Sequence, residues 1–83
     1  MDTRVEVYSR QDCHLCDEAV AVVSRVCAQA DEGFAVIDID AQPELRAKYG
    51  DDVPVVLVDG EIVGFWRIRP ELLLAALERG AAT

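Results

Sequence analysis

Basic residues are scarce in this chain. Eight Lys and Arg stand against 16 Asp and Glu, a formal net charge of −8 and a pI near 4.4. So acidic a molecule has no cationic stripe to displace counterions from a nucleic acid, and anionic lipid repels it; neither is an expected partner. Long apolar runs are also missing. The most apolar stretches, residues 19–23 and 53–58, fall far short of the roughly 20 residues that span a bilayer. Residues 1–4 (MDTR) contain no apolar core of a secretory leader, although a mature chain that had lost its leader would read the same way. Three cysteines are too few, and odd in number, for a secreted scaffold stapled by disulfides. The expected compartment is the cytoplasm, where thiols are kept reduced and paired cysteines are catalytic or metal-binding. Repeats, linkers and low-complexity segments are absent.

What is present suits one small domain over residues 1–83, with 52 % hydrophobic residues for a core and 29 % charged residues for a surface. A chain of this size buries about two-thirds of its unfolded surface, so the core must be compact. The most informative segment is Cys13-His14-Leu15-Cys16. It follows a short alternating strand (Val5, Val7, Tyr8) and precedes a helical pattern of Leu15, Ala19, Val22/Val23, Val26 and Ala30, which Gly33 is expected to close. At a helix start the unsatisfied N–H groups and the positive end of the macrodipole stabilise a thiolate. Residues at i and i+3 share a face of the first turn, within the roughly 5.5 Å Cα separation that a disulfide takes. This context points to reversible dithiol/disulfide chemistry.

Further along, residues 34–40 predict a second strand, and Pro43 opens a short helix that Gly50 ends. Val55-Val56-Leu57-Val58 reads as a buried strand, Asp59-Gly60 as a hairpin turn and residues 61–64 as the returning strand. Pro70 opens a last helix carried by Leu73, Leu74 and Leu77, with Gly80 at its end and residues 81–83 fraying. The order βαβαββα predicts an α/β fold: a four-stranded mixed sheet with helices on both faces, the first two strands parallel through a crossover.

That order, with a CxxC at the first strand–helix junction, resembles the thioredoxin superfamily and glutaredoxins in particular. The likeness runs essentially end to end. Residues 8–16 (YSRQDCHLC) are similar to the glutaredoxin active-site segment, with Arg10 where that family usually has a lysine. Residues 52–55 (DVPV) resemble its Thr-Val-Pro segment, and residues 59–64 the hairpin after it. The His-Leu pair is nearest to a small group of glutaredoxin-like proteins. The resemblance implies a thioredoxin-like fold and an oxidoreductase in electron transport, with a redox-active Cys13/Cys16 disulfide. It implies a cis peptide at Pro54, leaving the Val53 backbone to pair with an extended substrate. It also implies a reductant, either glutathione or another low-molecular-weight thiol, or a thioredoxin-reductase-type enzyme, and no resident cofactor. Disulfide-containing proteins are the expected substrates, and a monomer the expected state. The chain departs from the pattern in three places: His14 replaces a proline, Asp52 a threonine, and Gly64-Phe65-Trp66-Arg67 a glycine pair followed by aspartate. The departure at Gly64 and Phe65, still the expected substrate-binding segment, predicts weak glutathione binding.

Each site residue carries a plainer alternative. Cys13 is the expected nucleophile and Cys16 the resolving thiol; the alternatives are a structural pair or a non-catalytic iron–sulfur or metal site, with Cys13 ligating and two chains sharing a cluster. For zinc, Cys13, His14 and Cys16 lie too close in sequence to surround one ion, so no metal is expected. Arg10 activates Cys13 or binds a substrate carboxylate, or else is a solvated loop charge. Asp12, Asp17 and Glu18 work against thiolate formation, so moderate activation is expected, below about 8.5 and well above 3.5. His14 either modulates the thiolate or has no role. Phe65 and Trp66 are either core at the sheet edge or an apolar rim. Cys27, eleven residues beyond Cys16 and about 16 Å along a helix axis, is expected in the core.

Overall fold

The computed structural model describes residues 3–81. The central strand β1 (Val5–Ser9) alternates as the sequence predicts. Val5 and Val7 are fully buried, while Glu6 and Tyr8 are only partly covered on the opposite face. Helix α1 (His14–Ala30) buries Ala19, Val23, Val26 and Cys27 along one stripe. Strand β2 (Phe34–Asp38) lies parallel to β1, from Val5 opposite Phe34 to Ser9 opposite Asp38. Helix α2 (Pro43–Tyr49) has proline in its first turn, and strand β3 (Val55–Val58) is buried at all four positions. Strand β4 (Glu61–Phe65) and helix α3 (Pro70–Ala81) complete the chain.

The sheet order is β2-β1-β3-β4, with β3 antiparallel to both neighbours. Helices α1 and α3 pack on the face that carries Val5, Val7, Val56 and Val58, and together these elements form the core. The other face meets α2, whose Tyr49 ring sits 5.1 Å from that of Tyr8. This is the four-stranded mixed α/β sheet of the thioredoxin-like fold, with helices on both faces. Asp59 (φ 53°) and Gly60 (φ 85°) form the two-residue hairpin turn with positive φ at both central positions, the geometry that matches strand twist.

Several boundaries differ from expectation, each for a local reason. Strand β2 stops at Asp38 instead of Asp40, because the Asp38 carboxylate accepts the Asp40 N–H at 2.9 Å and caps a 3₁₀ turn, Ile39–Ala41, that buries Ile39 completely. Helix α1 ends before Gly33. Asp31 adopts the left-handed conformation (φ 56°, ψ 42°), and the Asp31 and Glu32 N–H groups close back onto the Ala28 and Cys27 carbonyls. A short polar side chain tolerates that conformation, so glycine is not needed. Gly50 stays right-handed (φ −55°, ψ −34°) at the end of α2 and donates to the Arg46 carbonyl. Helix α3 continues through Gly80 to Ala81, since one glycine costs a helix only about 1 kcal/mol relative to alanine. Of the residues 81–83 expected to fray, Ala81 is the last residue of the helix, and residues 82 and 83 lie outside the described residues.

Topology sets where a site can form. The parallel β1–α1–β2 unit puts the N-terminus of α1 at the end of β1. Antiparallel pairing of Tyr8 with Val55 brings Pro54 to that same end, and pairing of Val55 with Phe65 brings the exit of β4 there too. The opposite end is closed by Arg4, which donates to Glu32, to both carboxylate oxygens of Asp59 and to the Leu77 carbonyl.

Candidate functional site

Three segments that are distant in sequence meet at the open end of the sheet. In the first, Asp12 (φ 58°) turns the chain so that Cys13 takes the extended conformation that precedes α1. Cys13 and Cys16 form a disulfide with Cα atoms 5.1 Å apart, as the helical spacing predicts. Cys13 Sγ accepts the Cys16 N–H at 3.1 Å, and the Cys13 carbonyl accepts the Asp17 N–H at 3.2 Å. The sulfur thus takes the place an oxygen holds in an ordinary N-cap, against N–H groups that would favour a negative charge. Cys13 is half-buried, Cys16 is 2 % exposed, and His14 is exposed. Of the two sulfurs, the one at the helix edge is the more accessible to an incoming disulfide.

The second segment is the loop into β3. The Val53–Pro54 peptide is cis. Pro54 is buried, Val53 is half-buried, and Val53 takes part in no backbone hydrogen bond among the described residues. The third segment is the exit of β4, where the Trp66 N–H donates to the Pro54 carbonyl at 2.9 Å and the indole N–H to the Asp51 carbonyl at 3.2 Å. Trp66 is left-handed (φ 64°), an uncommon conformation for a bulky residue, and its ring meets Phe65 edge-on at 5.5 Å.

Between the segments lies an open groove of about 480 Å³ lined by Leu15, Asp51, Val53, Phe65, Trp66 and Arg67. A smaller hollow of about 110 Å³ continues from it along α1, past Glu18 and Ala19. The structure therefore brings Val53 and Phe65 to a groove that reaches the cysteine pair through Leu15, while Cys13, Cys16 and Pro54 are not part of its lining. Gly64 lies one residue back in β4, opposite Val56 and 3.5 Å (from a notional Cβ) to the Ile68 side chain, and is not part of the groove lining.

Arg10 is engaged elsewhere. Its Nε lies 3.0 Å from Asp40 Oδ1, and its Nη1 donates to the Gly50 carbonyl at 3.4 Å, tying the loop before Cys13 to the 3₁₀ turn and the end of α2. Leu15, Asp51 and Arg67 join the groove without having been singled out as binding residues. Leu15 signalled itself by lying between the cysteines, Asp51 by flanking the Val-Pro segment, and Arg67 by standing in the segment that departs from the glycine pair and aspartate. Cys27 is buried in the core, where desolvation, and secondarily the Glu32 carboxylate, push its thiol up. Among the described residues no three His, Cys, Asp or Glu side chains are grouped so as to hold a metal ion. No helix among them is long and apolar enough to cross a membrane.

Comparison with known proteins agrees with this geometry. An uncharacterised protein of Mycobacterium tuberculosis is 30 % identical over 92 % of this chain and 84 % of its own length. The crystal structure of target protein XcR50 from X. campestris is 33 % identical, covers 90 % of this chain and 96 % of that one, and superposes with a TM-score of 0.75. The holo form of glutaredoxin C1 from Populus tremula x tremuloides shares the fold, with a TM-score of 0.69 at 24 % identity over 98 % of this chain and 81 % of that one. A family model described as the glutaredoxin-like domain (DUF836) matches residues 4–78. With its CxxC disulfide at the head of α1 and its thioredoxin-like sheet, the chain belongs to this glutaredoxin-like family of the thioredoxin superfamily.

Proposed function

We propose that the protein is a thiol–disulfide oxidoreductase that reduces disulfides in proteins. The observation that carries this reading is the Cys13–Cys16 pair at the N-terminus of α1, with one accessible and one buried sulfur beside an open groove. The Cys13 thiolate attacks one sulfur of the substrate disulfide and expels the other as a thiolate, which water protonates. Cys16, deprotonated, then attacks Cys13 Sγ and releases the second substrate thiol. Two electrons pass from the dithiol to the substrate, and the Cys13–Cys16 disulfide remains for a low-molecular-weight thiol or a thioredoxin-reductase-type enzyme to reduce in a reducing cytoplasm.

The unpaired backbone of Val53 supports docking of an extended substrate segment as an added strand. Glutathione is a poor ligand on this reading, because residues 64–67 lack the glycine pair and aspartate that the resemblance to glutaredoxins associates with its γ-glutamyl end. Losing one or two charge-assisted hydrogen bonds, at about 1.5–3 kcal/mol each, lowers affinity ten- to hundredfold or more. The test is reduction of a protein disulfide and of a glutathione mixed disulfide by the monomeric protein, with Cys16→Ser to trap the intermediate on Cys13. Failure in both assays, with Cys13 alkylating no faster than a free thiol, overturns the enzyme reading. A coloured product from anaerobic purification would instead favour a shared iron–sulfur cluster.

A further inference from the structure

Resting on the oxidoreductase reading, we propose that the groove selects a cationic protein segment with a large apolar side chain next to its disulfide. The apolar part of the argument is the groove itself. Leu15, Val53, Phe65 and Trp66 supply its wall, and Phe65 and Trp66 are each about half exposed. Trp66 is held rigidly there, by two hydrogen bonds to the loop around Pro54 and by its contact with Phe65. An aromatic wall fixed in advance loses little freedom when an apolar side chain settles against it.

The electrostatic part comes from what frames the groove. Asp51 lines it and Glu18 lines its continuation along α1, while Asp12, Asp17 and Asp52 lie on the adjoining segments. Against these five carboxylates stand Arg67, which lines both the groove and its continuation, Arg69 two residues further on, which pairs with Glu71, and Arg10, which pairs with Asp40. The formal charge of −8 on the chain adds a long-range field of the same sign. Such a field slows the approach of an anionic disulfide and speeds that of a cationic one, by a factor that falls as salt rises.

The experiment is a single turnover with pre-reduced protein, so that the dithiol of Cys13 and Cys16 is the only reductant. The substrates are four synthetic peptides, each with its one cysteine in a disulfide with neutral 2-mercaptoethanol. Lys or Glu flanks the cysteine, and Leu or Gly stands next to it. Each turnover releases the peptide thiol and mercaptoethanol and leaves the Cys13–Cys16 disulfide. At low salt the Lys peptides should react about tenfold faster than the Glu peptides, and the ratio should shrink towards one at about 0.5 M salt. Asp51→Asn should lower that ratio. Leu should outpace Gly about tenfold, and Trp66→Gly, which accepts φ 64° without strain, should abolish the difference. Equal rates for all four peptides, or a Leu preference that survives Trp66→Gly, overturn the proposal while leaving the oxidoreductase reading in place. If reduced wild-type protein reduces neither the peptides nor bis(2-hydroxyethyl) disulfide, that reading fails and the proposal fails with it.

Discussion

Reducing the Cys13–Cys16 bond should leave the protein folded, and the structure sets the size of the change. The bond closes a ring of only four residues. In the chain-entropy treatment such a small loop restricts the unfolded state by about 6 cal/mol/K, or about 2 kcal/mol at 25 °C. Reduction returns part of this. A thiolate at Cys13 keeps the Cys16 N–H as a donor at the helix start, and a hydrogen bond to a charged group contributes about 1.5–3 kcal/mol, toward the low end for a half-buried sulfur. The two effects nearly offset each other, so the oxidised form should exceed the reduced form by no more than about 2 kcal/mol. For a domain of this length that corresponds to at most about 12 °C in Tm.

The assay is urea unfolding of both forms, the reduced one held in excess dithiol, followed by far-UV circular dichroism. A cooperative transition for each, with midpoints separated by less than that limit, fits a bond that cycles during turnover. A reduced form that melts without cooperativity, or a gap of about 4 kcal/mol or more, would mean that the bond is a structural staple. The magnitude worked out above would then be refuted, and turnover would demand a correspondingly stronger reductant.

Three further outcomes follow from particular residues. Gly60→Ala should destabilise the protein by about 1–2 kcal/mol in urea titrations, because φ is 85° and the added methyl meets open space, so the whole cost is backbone strain; the rate of disulfide reduction should not change. Cys27 should resist iodoacetamide near about pH 8 while Cys13 of the reduced protein is labelled, since burial both shields the Cys27 thiol and pushes it up; mass spectrometry reads this, and labelling of Cys27 before unfolding would contradict its place in the core. Arg4 holds Asp59 below its ordinary value of 3.8, so the ion pair's contribution is fully present above that pH and is lost as pH falls through the lowered value; Arg4→Gln should flatten the acid limb of stability against pH, and an unchanged limb would refute the assignment.

Most of the fold was legible because burial in a small α/β domain follows strict periods. Val5 and Val7 alternate with Glu6 and Tyr8, the stripe of Ala19, Val23, Val26 and Cys27 repeats every three or four residues, and Asp59-Gly60 specifies its turn. The cysteine pair was legible for the same reason, since helical spacing alone brings positions i and i+3 together. Boundaries were less so. Asp38 could have continued β2, and only its side-chain bond to the Asp40 N–H shows that the chain turns to bury Ile39. Asp31 ends α1 in a conformation that glycine would take more readily, and Gly33 nearby looked the better candidate.

Beyond Val53 and Phe65, the surroundings of the groove were not legible in the sequence, because they depend on long-range register. Arg10 precedes Cys13 by three residues, and the resemblance to glutaredoxins favoured a role for it at the sulfur or on a substrate carboxylate. Its guanidinium instead meets Asp40 and the Gly50 carbonyl, partners 30 and 40 residues away. Trp66 shows the converse. Nothing local fixes a tryptophan in the left-handed region, where a side chain of its size costs of order 1–3 kcal/mol. The conformation persists because β3–β4 pairing presents the Pro54 and Asp51 carbonyls to its two N–H groups. Relaxing Trp66 to ordinary φ would break both bonds and move the ring out of the groove wall that it shares with Leu15 and Val53, so the register of a strand pair, rather than any motif, decides what lines the groove.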